Sequence, residues 1–242
     1  MVPTFPRHPV TMAQQALTTQ AAAGGRFALG IGLSHRVTIE EGYRAGLQQA
    51  GAAHAGVPLR HEPAAARRSG FVQGRGVSRT EASLMVPDAE TPPPVLVAAL
   101  GPAMLKIAGS MADGTVTSWV GPKTLETHII PSIRKAAQEA GRPEPRIAVG
   151  LPISVTNEDT KALKERYAPA VAGYNELPSY RAMMDIEGVS GPAELAMFGD
   201  EATLDAALAR LRDIGVTDYL AQVAPTGQGS VERTYEYLAS KL

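Results

Sequence analysis

Five histidines, one tryptophan and no cysteine limit the chemistry this chain can do with its own side chains. Without cysteine there is no thiolate nucleophile and no cysteine-built zinc or iron–sulfur site. No His-Glu-x-x-His helix occurs, and no histidine and carboxylate stand at metal-ligand spacing, so no metal is expected. There is no Gly-x-Ser-x-Gly elbow for acyl transfer. No lysine closes a strand where a Schiff base would form, which ranks an aldolase or isomerase low. Gly30-Ile31-Gly32 runs into Leu33-Ser34-His35, so the Gly-x-Gly-x-x-Gly dinucleotide fingerprint is absent. Three short segments remain, each at the end of an apolar run: Gly30 to His35, Ala98 to Pro102, and Ser118-Trp119-Val120-Gly121. The first carries a hydroxyl and an imidazole. The second turns from a strand into a helix, and amides at a helix start bind anions. The third carries the only tryptophan, which either walls a pocket or packs in the core.

The elements that hold these segments alternate between helix and strand. Pro9 suits a first helical position, Val10, Ala13, Leu17 and Ala21 form one apolar stripe, and Gly24-Gly25 ends the helix. Phe27 to Leu33 is a non-alternating apolar run, the pattern of a strand buried on both faces. Val95 to Leu100 is a second such strand, and Gly101-Pro102 leads into a helix ended by Asp113-Gly114. Thr115 to Trp119 is a strand. Pro122 opens a helix with Leu125, Ile129, Ile133 and Ala137 on one face, closed by Gly141. Arg146 to Val155 is a strand, followed by Asn157 as the expected helix cap. Asp200 caps a helix that stops at Gly215, Tyr219 to Val223 is a strand, and Val231 to Leu238 lies on a closing helix. Val2 to Phe5 is a further strand fragment. No hairpin signal separates the strands, so parallel βαβ units are expected. A (β/α)₈ barrel is the better α/β choice, although an eight-stranded barrel needs two more strands, most simply upstream of Met1.

Composition narrows the partners. The chain has 242 residues and a net charge of −1, from 23 basic and 24 acidic side chains. That balance argues against nucleic acid and against an electrostatic membrane anchor. No apolar run approaches the ~18 residues that span a bilayer. The absence of cysteine fits a reducing cytoplasm. Aromatic residues are only 5% of the chain, so the core is aliphatic.

Taken in order, several segments resemble the luciferase-like monooxygenase superfamily, in its coenzyme F420-dependent oxidoreductase branch. They are Arg7-His8-Pro9-Val10-Thr11-Met12-Ala13-Gln14-Gln15-Ala16, Gly24 to Gly32, Pro94 to Pro102, and Ala108-Gly109-Ser110-Met111-Ala112-Asp113-Gly114. The resemblance implies a single (β/α)₈ barrel domain over 1–242 that begins at about the third strand, with the first two βα units missing. It implies hydride transfer between reduced F420 and a small organic substrate, with FMN as the alternative cofactor, and a homodimer as the usual assembly. A non-catalytic remnant that binds cofactor weakly is the expectation from another class.

The resemblance also gives roles. It sets Gly30, Gly32, Ser34 and His35 at the C-terminal end of a barrel strand, where small residues admit a planar ring and the two side chains donate hydrogen bonds. His35 is the catalytic candidate. Ala99, Gly101 and Met104 belong to a loop against the cofactor, Ser118 and Gly121 face its phosphate side, and Trp119 walls the pocket. Packing explanations stand beside these: a tight barrel for the glycines, a solvated loop for His35, and the core for Met104 and Trp119. Asp113 and His8 are expected to cap local structure, and His128 to fill space on a helix.

The resemblance lapses between about Tyr43 and Ala82. From Arg44 to Glu81 helical periodicity disappears, and the composition turns to Ala, Gly, Arg, Gln and His. Permitted codons read one base later give a string with a Leu/Met/Tyr helical face and a strand-like end. A frameshift is the favoured explanation, a lineage-specific loop the other, and the stretch is expected to be irregular. His54 and His61 fall within it and are given no role.

Overall fold

A computed structural model describes residues 1–4, 7–35, 38–42, 69–74, 77–84, 86–87 and 91–242. The chain folds as two compact units. The first holds Met1–Ala99, Ala103–Thr115 and Lys135–Pro145, and the second Leu100–Pro102, Val116–Arg134 and Arg146–Leu242.

In the first unit, strand β1 (Val2–Pro3) pairs in parallel with β2 (Leu29–Gly32), which pairs in parallel with β5 (Val95–Ala98). Helix α1 (Pro9–Ala22) connects β1 to β2 and buries Met12, Ala16 and Leu17. Its start is capped by His8, whose Nδ1 accepts from Val10 N at 3.3 Å. Helix α2 (Pro102–Met111) follows β5. Asp113 then ties the end of that helix to the start of β5. Its carboxylate accepts from Val95 N at 2.8 Å, its own amide donates to Val95 O at 2.9 Å, and Arg142 pairs with its other oxygen. The structural roles expected of His8 and Asp113 are the ones seen.

Strands β3 (Ser69–Gly74) and β4 (Val77–Ser83) form an antiparallel pair whose register shifts between Val72 and Gly74. This hairpin is a correction to the sequence reading. The pair overlaps the stretch 44–81 expected to be irregular, where period-2 alternation is too weak to mark strands, and runs past it to Ser83. The part of that stretch up to residue 68 lies outside the described residues.

Strand β6 (Gly114–Ser118) begins in the first unit and ends in the second. A helical run, α3, covers 122–139. It consists of Pro122–Thr124, a π-helical turn at Leu125–Ile129 and Ile130–Glu139. Leu125, Ile129 and Ile133 are fully buried, so truncating any of them to Ala is expected to cost about 2–5 kcal/mol.

The centre of the second unit is β7 (Arg146–Val155), with nine of its ten residues buried. Strand β9 (Asp218–Val223) runs parallel to β7 from Ala148 to Ile153, and β8 (Met197–Gly199) runs parallel to its last three residues. Helices α4 (Thr160–Val171), α5 (Pro178–Glu187), α6 (Glu201–Asp213) and α7 (Ser230–Ala239) alternate with them. Ile153, Val155, Leu204 and Tyr237 form one core cluster, and Leu163, Ala196, Phe198 and Ala224 another.

Asp200 caps α6 as expected, accepting from Thr203 N at 2.9 Å. The cap of α4 is Asp159 rather than Asn157, because the Asp159 carboxylate reaches Lys161 N at 2.9 Å. Helix α5 and strand β8 are elements the sequence did not announce. The pairs β1–β2, β2–β5, β7–β8 and β7–β9 are all parallel, in line with the βαβ expectation. No helix among the described residues is long and apolar enough to cross a membrane.

Candidate functional site

The sequence-nominated residues fall at or near the C-terminal ends of strands of the sheet or in the turns that follow them, with Met104 in the first turn of the next helix. Gly32 ends β2 with Gly30 two residues before it, and Ser34 and His35 follow the strand. At Gly32 a Cβ would lie 3.0 Å from Ala98 Cβ and 3.0 Å from Met1 Sδ, so glycine lets β2 and β5 approach each other. Thr4 N donates to Gly32 O at 2.9 Å. Ser34 has φ +66°, a left-handed backbone that L-residues adopt at a cost of about 1–2 kcal/mol. His35 is half-buried, and its carbonyl accepts from Ile39 N at 3.0 Å, which anchors the π-helical turn Thr38–Gly42.

Ala99 is buried at the end of β5, Met104 is half-buried in the first turn of α2, and nothing lies within 4 Å of a Cβ built on Gly101. His128, on the π-helical turn of α3, makes a 2.9 Å hydrogen bond between Nε2 and Leu100 O. The carbonyl only accepts, so Nε2 carries the hydrogen. His128 therefore holds the strand-to-helix turn in place, a role beyond the filler expected of it.

In the loop after β6, Trp119 has φ +58° and is 3% exposed. Its ring packs against Tyr174 at 5.0 Å, and Tyr174 meets Tyr180 edge-on at 5.1 Å. Burial, with Tyr174 adding a smaller push, raises the Tyr180 hydroxyl to about 12. The indole is thus held inside an aromatic cluster, and the Trp119 backbone amide donates to Gly150 O at 3.3 Å. Among the described residues, Ser34 and Trp119 are the two non-glycine positions with left-handed backbone. Both lie just past the end of a strand of the sheet. Backbone strain of this kind concentrates at functional sites.

At Gly121 the structure shows a group the sequence did not reveal. The Glu187 carboxylate accepts from Lys123 N at 3.2 Å, from Thr124 N at 2.7 Å and from Thr124 Oγ1 at 2.8 Å. A Cβ on Gly121 would sit 2.3 Å from the Glu187 carboxyl carbon. Gly121, expected to face the cofactor's phosphate side, thus precedes a helix start whose amides are engaged by an internal carboxylate. Gly150, Gln222, Tyr174 and Tyr180 also went unnominated. Gly150 alone left a signal, as an isolated glycine inside an apolar strand, which marks close approach of a neighbour.

A family model for luciferase-like monooxygenases matches residues 1–228. The F420-dependent glucose-6-phosphate dehydrogenase of Nakamurella multipartita is 26% identical over 217 residues, which cover 87% of this chain and 61% of that protein. The 5,10-methylenetetrahydromethanopterin reductase of Methanopyrus kandleri is 33% identical over 115 residues, 46% of this chain and 33% of that protein. The chain thus spans less than two thirds of either relative. Among solved structures, the coenzyme F420-dependent tetrahydromethanopterin reductase from Methanopyrus kandleri superposes with TM-score 0.66 at 20% identity, covering 100% of this chain and 80% of that one. EDTA monooxygenase from Chelativorans superposes with TM-score 0.64 at 14% identity, covering 99% and 72%. The fold is the α/β, (β/α)₈ type of the luciferase-like proteins. By this match and by its parallel βαβ units, the chain belongs to the luciferase-like monooxygenase family.

Proposed function

We propose that the protein is an oxidoreductase that transfers a hydride between reduced coenzyme F420 and a small organic substrate. The observation that carries this reading is the placement of the nominated residues. Gly30, Gly32, Ser34 and His35 follow or end β2, Ala99, Gly101 and Met104 follow β5, and Ser118, Trp119 and Gly121 end or follow β6. Sites of (β/α)₈ proteins lie at that end of their strands. The names of the relatives, F420-dependent dehydrogenases and a reductase, support the choice of cofactor.

Open space beside one strand-end glycine and hydroxyls at two strand ends suit a planar ring. Gly101 leaves open space beside its backbone, and Ser34 and Ser118 bring hydroxyls to strand ends. Bound F420 supplies the hydride, and the protein's part is to hold, orient and exclude water. In this reading the first unit's Gly30, Gly32 and Ala99 offer close backbone approach and its Met104 excludes water, and the second unit's Gly101 and Trp119 are given the same two parts. Ser34 and Ser118 donate hydrogen bonds. His35 touches the substrate, donating a ring N–H to the oxygen that gains or loses charge during transfer.

An FMN-dependent monooxygenase is the second reading, favoured by the comparable superposition on EDTA monooxygenase. Titration of the protein with F420 and with FMN, followed by Trp119 emission, tests the choice. Tighter binding of F420, with at least a tenfold loss of turnover in His35→Ala at unchanged F420 affinity, is expected. Binding of FMN alone would replace this reading with the monooxygenase, and binding of neither would favour a non-catalytic remnant.

A further inference from the structure

Gly150 lies in the middle of β7, and two side chains close over it from neighbouring strands. A Cβ at Gly150 would sit 2.9 Å from Gln222 Nε2 of β9, 3.0 Å from Ser118 Oγ of β6 and 3.4 Å from Thr117 O. Glycine is required here because a polar pair uses the space a side chain would fill. Neither the Ser118 hydroxyl nor the Gln222 carboxamide has a hydrogen-bond partner among the described residues, and Gln222 is exposed. Along β9, side chains alternate between faces. Tyr219 and Val223 pack into the core cluster with Leu204 and Tyr237, so Leu220 and Gln222 share the opposite face. Leu220 sits in register with Gly150 and is 44% exposed. The result is one exposed apolar side chain, Leu220, beside a hydroxyl and a carboxamide over a glycine floor.

We propose that Gln222 and Ser118 form a subsite for the amide edge of a planar ring, the adjacent N–H and C=O of a pyrimidinedione. A carboxamide offers one donor group and one acceptor in a plane, and so matches such an edge with two antiparallel hydrogen bonds. The serine hydroxyl donates to the remaining carbonyl, and Leu220 packs on the ring face. This deepens the F420 reading and rests on it, because the deazaflavin ring carries that edge. It assigns Ser118 to the ring's edge and not to the phosphate arm, in keeping with the Glu187 carboxylate at Gly121.

The probes are 5-deazariboflavin and its N3-methylated analogue, which lack the phosphate arm, titrated into wild type, Gln222→Leu, Gln222→Glu and Gly150→Ala. Wild type is expected to bind the N3-methyl ring about tenfold more weakly, the effect of one lost hydrogen bond with its partner stranded. Gln222→Leu is expected to bind both rings equally and about tenfold more weakly than wild type binds the parent ring. Gln222→Glu, which keeps size and exposure but cannot donate, is expected to be weakened similarly, and Gly150→Ala to follow by displacing the carboxamide. Equal binding of the two rings by wild type, unchanged discrimination in Gln222→Leu, or no binding of either ring overturns the subsite. Because no hydride moves in this assay, failure of F420-dependent turnover is read separately: ring discrimination through Gln222 stands without it.

Discussion

The Glu187 carboxylate at the start of α3 gives a prediction whose size follows from its geometry. Gly121 has no side chain with which to cap the helix, and Pro122 has no amide to satisfy. Glu187 therefore serves Lys123 N, Thr124 N and the Thr124 hydroxyl. Loss of a helix cap costs about 1 kcal/mol. Hydrogen bonds to a charged acceptor contribute about 1.5–3 kcal/mol, toward the low end where water reaches the freed groups. Glu187→Ala should thus destabilise by about 2–3 kcal/mol, a fall in Tm of about 5–10 °C for a chain of this size. Gly121→Ala should cost nearly as much by a different route, since its methyl would occupy the carboxylate's place, 2.3 Å from the carboxyl carbon and 2.4 Å from Oε1. With Glu187 already truncated, that methyl meets no carboxylate, and at φ −83° alanine is unstrained, so Gly121→Ala should be neutral or slightly stabilising. The double-mutant cycle should therefore show a coupling of about 2 kcal/mol. Urea unfolding followed by Trp119 emission, two residues from Gly121, measures all four corners. Additive costs, or a Glu187→Ala loss below about 0.5 kcal/mol, would refute the carboxylate's role as the cap of α3.

Two further outcomes follow from buried hydroxyls and from the turn after β5. Burial raises the Tyr167, Tyr180, Tyr219 and Tyr237 hydroxyls above their ordinary range, Tyr180 to about 12, with Asp205 adding to the effect at Tyr237. Raised values favour the fold fully below pH ~10, where tyrosine ionises in the unfolded chain. That stability is lost as pH climbs from there toward 12. Tyrosinate absorbance of these four should rise together with loss of folded Trp119 emission, and ionisation of all seven tyrosines near pH 10 in a folded chain would contradict it. His128→Ala should release Leu100 O, cost about 1 kcal/mol of stability and weaken F420 binding several-fold, with kcat nearly unchanged. A loss confined to kcat would contradict a positioning role.

The sequence disclosed elements wherever local chemistry punctuates them. Pro9 and Gly24 bracket α1, Pro122 and Gly141 bracket α3, Asp200 and Gly215 bracket α6, and β7 is a long apolar run without alternation. Helix α5 and strand β8 escaped because their signals are short. Only Met183 and Met184 of α5 are buried, and β8 has three residues. The cap of α4 moved two residues along because Asn157, Asp159 and Thr160 are all acceptable caps, and only backbone geometry chooses among them. The strand-end loops were legible because glycine and proline mark them. Their partners were not. Gln222 is 72 residues from Gly150 in sequence, and Glu187 is 64 from Lys123, and no local pattern encodes contacts over such separations. Trp119 posed a choice between pocket wall and core, and its packing on Tyr174 depends on a segment 55 residues away.

Anaerobic hydride exchange decides whether the protein is an F420-dependent oxidoreductase. The protein is mixed without oxygen with reduced F420 and a panel of small ketones, aldehydes and enones, and the return of oxidised F420 is followed by its absorbance. Protein-dependent oxidation of F420 coupled to reduction of at least one acceptor is expected, lost in His35→Ala. Oxidation that requires FMN and oxygen, or no exchange from a folded protein that binds the ring, would contradict it.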